Sequence, residues 1–147
     1  MFDIAFIADE PERQEGGWYA LRGRTVLGDF REEFLAALGY WDRAGYERHW
    51  IEAARRLLAG ADRTGFFTST FQLWWVMWRR GDELAVHEML LAEDALLERF
   101  DPADPYRQLR DYSDAPNEEG QRPSEWRLRV ADIAAFVERR AAQYVPG

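Results

Sequence analysis

The feature of this chain that most constrains its fold is a run of aromatic and β-branched residues from Thr64 to Leu91, interrupted by a Gly-Asp turn at positions 81 and 82. Because successive side chains of a strand point to opposite faces, odd- and even-numbered residues between 73 and 78 fall on opposite sides of a sheet. Both sets are apolar, so both faces must be covered. The run therefore predicts an antiparallel hairpin, with strands over Leu73–Arg79 and Glu83–Leu91, at the centre of a compact α+β domain.

The length and composition are those of one self-sufficient domain. The chain has 147 residues, of which 47% are hydrophobic and 15% aromatic, including seven tryptophans. A chain of this size buries about 70% of its unfolded surface, so it needs no disulfide to fold. We predict a single domain over residues 1–147, in which an antiparallel sheet of about five to six strands packs with two main helices.

Apolar residues at helical spacing predict a first helix over Arg43–Ala59, with Asp42 as its N-cap and Gly60 as its C-terminal stop. A second helix over Asp132–Tyr144 follows a strand over Glu125–Val130. The N-terminal expectations are a strand over Phe2–Ala8, a loop over Asp9–Gly17, strands over Trp18–Leu21 and Thr25–Phe30 with a turn at Arg22–Arg24 between them, and a short helical turn between Phe30 and Leu38.

The charge of the chain points away from nucleic acid as a direct partner. It has 19 arginines, no lysine and 27 acidic residues, which give a net charge of −8. Phosphate binding requires a basic stripe, so a basic protein is the expected partner.

The absence of cysteine excludes a disulfide framework and thiolate metal sites, and it fits a reducing compartment. The acidic start does not resemble a signal peptide, and no apolar run is long enough to span a membrane. We expect a soluble, cytoplasmic protein with no membrane partner.

The sequence contains no complete motif for catalysis or metal binding. Glu88 follows His87, but Leu91 stands where a zinc protease needs its second histidine. His49 lies on the predicted first helix beside Trp50, where a packed histidine is the expected role. We therefore predict no metal site.

The other familiar site types fail as well. Pro116 stands where a calcium loop needs glycine, and no glycine-rich phosphate loop or lysine exists. No serine has the context of a hydrolase nucleophile, and the tryptophans at 74, 75 and 78 are expected in the core. Paired carboxylates such as Asp101 with Asp104 or Glu118 with Glu119 lie among polar residues, where solvation keeps a pKa ordinary. We predict no catalytic residue, no cofactor and no small-molecule substrate.

Residues 27–69 and several later motifs form one pattern. Its features are the Gly28–Phe30 turn, Tyr40 with Trp41, the helical pattern Tyr46, Trp50, Ala54, Leu57, Leu58 and Gly60, the Thr68–Ser69 strand, the WWxxW hairpin strand leading to GDE, and the closing SEW and ADIAAF segments. This pattern resembles the contact-dependent growth inhibition immunity proteins. The resemblance implies a small α+β protein that binds a cognate toxin C-terminal domain tightly and blocks its active site or substrate groove without catalysis. The expected toxin is a basic protein, a nuclease.

Charge clustering, and not the resemblance, suggests where such a toxin would bind. Residues 93–119 carry nine acidic residues against three arginines, a net charge of −6, within a long Pro-bearing connection over 93–123. Long connections of this kind are usually functional or disordered. A second acidic group near the N-terminus, Asp9, Glu10, Glu12 and Glu15, is the next choice. The predicted toxin-binding residues are Glu93, Asp94, Glu98, Asp101, Asp104, Asp111, Asp114, Glu118 and Glu119.

Two other classes of function stay open at this point. A small enzyme could use two carboxylates brought together by the fold, and its mark would be a deep pocket holding convergent carboxylates with shifted pKa values. A protein-interaction adaptor or a subunit of a homo-oligomer could instead use exposed aromatic surface.

Overall fold

The computed structural model of the chain describes residues 1–69, 73–90, 104, 106 and 109–144. These residues form two helices and eight strands in two antiparallel sheets, which confirms the α+β class and extends the predicted strand number. The first sheet contains β1 (Phe2–Phe6), β2 (Glu12–Arg13), β3 (Tyr19–Leu27) and β4 (Phe30–Leu38). The second contains β5 (Arg63–Ser69), β6 (Leu73–Arg80), β7 (Glu83–Leu90) and β8 (Trp126–Arg129), and the helices are α1 (Arg43–Leu58) and α2 (Val130–Tyr144).

The predicted turn at Arg22–Arg24 is wrong, because β3 runs through it without a break. A Cβ atom on Gly23 would lie 2.3 Å from Cζ of Phe34 on the neighbouring strand. The lack of a side chain at Gly23 therefore leaves space for the Phe34 ring in the core, and Gly23 does not form a turn.

The predicted helical turn between Phe30 and Leu38 is also wrong. This segment is β4, paired with β3 from Leu27 opposite Phe30 to Tyr19 opposite Leu38. Its apolar residues fit helical and strand spacing about equally, and the cross-strand hydrogen bonds decide between the two. The predicted loop over Asp9–Gly17 likewise contains the short β2, which pairs with the start of β3.

Helix α1 confirms the prediction in both position and capping. The Asp42 carboxylate accepts the backbone N–H of Gly45 at 2.8 Å, and the helix ends two residues before Gly60, which has φ +109°. The Tyr46 hydroxyl donates to the carbonyl of Ala37 at 2.7 Å, and Trp50 Nε1 donates to the carbonyl of Phe67 at 2.7 Å. These two bonds join the helix to both sheets.

The central hairpin is confirmed as β6 and β7, although Leu91 lies outside the described residues. Trp75 and Met77 face the main core, which lies between the two sheets and both helices. The opposite face of β6, with Trp74, Val76 and Trp78, packs in a second and smaller core. As predicted, both faces are covered.

Candidate interaction surface

Residues 109–125, called the strap below, pass along the outer side of the second sheet. Leu109 is buried in the second core. The backbone beside it is fixed by the sheet, since Trp78 Nε1 donates to the carbonyl of Arg110 at 2.9 Å and Arg63 donates to the carbonyl of Leu109 at 3.3 Å. The start of the strap is therefore held by side chains of β5 and β6.

Glu125 fixes the other end of the strap. Its Oε1 accepts hydrogen bonds from the Tyr112 hydroxyl at 2.6 Å and from His87 Nε2 at 2.9 Å, and its Oε2 accepts from Arg127 Nε at 2.9 Å. Burial by itself would raise the pKa of Glu125, but the bonds from Tyr112 and His87 and the Arg127 charge lower that pKa below its ordinary value. Glu125 is therefore ionised and saturated with donors.

His87 lacks the second histidine that a zinc-protease motif requires, and the structure gives this residue a different role. Its buried ring lies 4.9 Å from Trp78 and 5.5 Å from Tyr112, between the sheet and the strap. His87 Nδ1 has no hydrogen-bond partner among the described residues. No local signal links positions 87, 112 and 125, so sequence reasoning missed this cluster.

The strap presents acidic side chains to solvent. Asp111 lies 2.8 Å from Arg63 yet remains 93% exposed. Four predicted toxin-binding residues, Glu93, Asp94, Glu98 and Asp101, lie outside the described residues. The other five are all exposed, namely Asp104, Asp111, Asp114, Glu118 and Glu119.

The second-choice acidic group belongs to the first sheet and is partly neutralised. Glu12 accepts two hydrogen bonds from Arg22, at 3.0 and 3.1 Å, and Asp9 lies 3.5 Å from Arg43. Glu10 and Glu15 are exposed. The second-choice group thus lies beside the first sheet, whereas the strap lies beside the second sheet.

Two surface cavities accompany these features. One, of about 310 Å³, lies within the strap and is lined by polar groups together with Ala115 and Pro123. The other, of about 440 Å³, lies where Met1 and Asp132 meet the end of β8. The polar lining of the strap cavity consists of Arg110, Ser113, Asn117, Gln121 and Arg122.

His49 has the packed role that its sequence position predicts. Its Nε2 accepts the backbone N–H of Phe67 at 3.0 Å, and its ring stacks on Trp41 with centroids 4.8 Å apart. Burial lowers the pKa of His49 to about 3, so the ring is neutral. Within the described part of the chain, no group of three histidine or carboxylate side chains is placed to hold a metal ion.

One carboxylate pair does converge across the two sheets. Burial, followed by a hydrogen bond with Glu32, raises the pKa of Glu88 to about 7. Neither the 310 Å³ cavity nor the 440 Å³ cavity has Glu32 or Glu88 in its lining. These two cavities therefore do not supply the deep pocket that the carboxylate-enzyme alternative requires.

Neither described helix has the length and apolar character needed to cross a membrane. Comparison with curated proteins gave no match.

Comparison with solved structures and family models gave clear matches. A chain of the "CdiA-CT/CdiI toxin and immunity complex from Enterobacter cloacae" has a similar fold, with a TM-score of 0.81 at 20% sequence identity over 96% of this chain and 99% of that chain. The family model described as the CdiI N-terminal domain matches residues 36–136, more than half of the chain. The chain therefore belongs to the CdiI N-terminal domain family of contact-dependent growth inhibition immunity proteins.

Proposed function

We propose that this chain binds a cognate CdiA C-terminal toxin domain and neutralises it by covering the active site or substrate groove, without catalysis. We further propose that the toxin is a basic nuclease and that the complex forms in the cytoplasm. The strap supports this proposal most directly. Its carboxylates are exposed, and its backbone and side chains are held against the second sheet by hydrogen bonds.

A pre-ordered strap suits tight binding. Association costs free energy when loops or side chains must be ordered at the interface, and a segment already held by Trp78, Arg63 and Glu125 avoids part of that cost.

Charge supports a basic partner. The whole chain has a net charge of −8, and complementary charges raise association rates by orders of magnitude at low salt. A nuclease must present a basic surface to its phosphate substrate, so an acidic protein can compete for the same surface.

The test is to co-express this chain with its cognate CdiA C-terminal toxin domain, and to measure complex formation and nucleic-acid cleavage. We expect a stable complex and loss of cleavage at equimolar ratio. Cleavage that continues in the isolated complex would contradict active-site or groove blocking, and turnover of a substrate by this chain alone would contradict a non-catalytic role.

A matched pair of charge-reversal variants locates the contact surface. Asp114→Arg with Glu118→Arg on the strap should slow association at least about tenfold at low salt. Glu10→Arg with Glu15→Arg changes the net charge by the same amount in the loops beside the first sheet, and should have a much smaller effect. The opposite ranking would move the interface to the second acidic group.

A further inference from the structure

We infer that the strap cavity binds an acidic side chain of the toxin through Arg110 and Arg122. This inference rests on the proposed function and adds to it the chemistry of one partner residue. The cavity has a volume of about 310 Å³ and a lining with two guanidinium groups, hydroxyl and amide groups, and no carboxylate.

Two other arginines that contact the strap have acidic partners. Arg63 lies 2.8 Å from Asp111, and Arg127 lies 2.8 Å from Glu125. The side chains of Arg110 and Arg122 have neither an ion pair nor a hydrogen bond within the described residues. Two guanidinium groups therefore line one cavity, and their N–H donors have no acceptor among the described residues.

The backbone around the cavity is fixed, so the two arginines project from an ordered frame. The Asn117 side-chain oxygen accepts the backbone N–H groups of Glu119 at 3.0 Å and Gln121 at 2.9 Å. The backbone N–H of Asn117 donates to the carbonyl of Gln121 at 2.8 Å, which closes the turn. Arg110 is held through its carbonyl by Trp78.

The chemistry of the lining selects an oxyanion. A guanidinium presents paired N–H donors that match a carboxylate, and such charge-assisted bonds are about twice as strong as neutral ones. Amide and hydroxyl groups at the same cavity can complete the shell of an oxyanion.

The charged residues around the cavity favour a carboxylate carried by a protein over a free anion. Asp114, Glu118 and Glu119 are exposed on the same strap, and they repel a free anion that approaches from solvent. A carboxylate carried on an otherwise basic protein surface meets no such barrier, because the neighbouring acidic residues attract that surface. The cavity therefore favours an aspartate or glutamate of the basic toxin over a dissolved anion.

Arginine removal tests the inference because two mechanisms predict opposite signs. Arg110→Gln and Arg122→Gln make the chain more acidic, so long-range attraction to a basic toxin alone would leave affinity unchanged or tighten it. Insertion of an acidic side chain instead predicts at least about tenfold weaker binding, mainly through faster dissociation. Binding that is unchanged or tighter in both variants would overturn the inference.

The control is Arg24→Gln on β3, which removes an arginine that is also exposed but lies outside the cavity. It should change toxin affinity less than about twofold. Equal weakening by Arg24→Gln would overturn the cavity assignment. Thermal unfolding of all three variants checks that the fold is retained.

Inorganic phosphate serves as the probe for a free anion. In a nuclear magnetic resonance titration of the unbound chain, we expect no saturable phosphate binding at millimolar concentrations. Saturable phosphate binding, together with normal toxin affinity in both arginine variants, would replace the inference with a free-anion site. If the unmodified chain does not bind the toxin at all, the proposed function itself is wrong, whereas normal binding by the variants contradicts the cavity assignment alone.

Discussion

At the scale of single residues, His49 and Glu88 are two titratable groups whose environments act in opposite directions on stability. His49 is neutral because its buried ring accepts the backbone N–H of Phe67, and protonation would destroy that bond. Glu88 holds its proton up to about pH 7 because it is partly desolvated and hydrogen-bonded to Glu32. Both effects follow from packing of residues distant in sequence.

His49 should make the folded chain less stable as the pH falls. The pKa of His49 is about 3 in the folded chain and 6.5 in the unfolded chain, so the unfolded state binds the proton first as the pH falls. The free energy of unfolding should therefore decrease below pH 6.5, by about 1.4 kcal/mol per pH unit from this group. Urea unfolding at pH 7, 6 and 5 measures the slope, and His49→Gln should reduce it. An equal slope in that variant would contradict the assignment.

Glu88 should make the folded chain less stable as the pH rises. Its pKa is raised from 4.5 to about 7 in the folded chain, so the folded state retains the proton between these values. Its contribution to stability should be present below pH 4.5 and lost as the pH rises through 7. Glu88→Gln should gain stability relative to the unmodified chain between pH 5 and pH 8 in urea unfolding. A difference between the two chains that does not change with pH would refute this.

At the scale of elements, the packing of β3 on β4 requires a residue without a side chain at Gly23. The Phe34 ring occupies the space above Gly23, and the carbonyl of Ala5 lies 3.0 Å from where a Cβ would stand. A ring on one side and backbone on the other leave little room to relax.

Gly23→Ala should therefore destabilise the chain by about 1–3 kcal/mol, the usual cost of overpacking a core. Gly39→Ala is the matched control, since nothing lies within 4 Å of its Cβ position and its φ is not positive. Chemical denaturation of both variants measures the difference. Equal midpoints would show that the β3–β4 interface accommodates the extra methyl group.

At the scale of the whole molecule, the chain combines a net charge of −8 with an exposed acidic strap. Long-range attraction acts on the association rate and is screened by salt, with a Debye length of about 8 Å at physiological ionic strength. Contacts inside the complex, such as those proposed for Arg110 and Arg122, act instead on the dissociation rate.

Association with the toxin should therefore slow by at least about tenfold between 20 mM and 500 mM salt, while dissociation changes much less. Stopped-flow or surface-binding kinetics at several salt concentrations measure both rates. An association rate that is independent of salt would remove charge steering from the proposed function.

The sequence by itself determined the features that local chemistry encodes. Asp42 and Gly60 bracket α1 because capping acts within a few residues, and the two-faced apolar strand at Leu73–Arg80 required cover on both sides. Charge clustering likewise marked residues 93–119 as a strongly acidic segment, and positions 109–119 of that segment lie in the strap.

Only the tertiary structure decided the features that depend on distant partners. The segment over Phe30–Leu38 became a strand because β3 offered it hydrogen bonds, and Gly23 was needed for a ring eleven positions away. Glu125 meets Tyr112 and His87 only after the strap closes against the second sheet. Periodicity reports which faces are apolar, but pairing and packing between remote segments are set by the free energy of the whole fold.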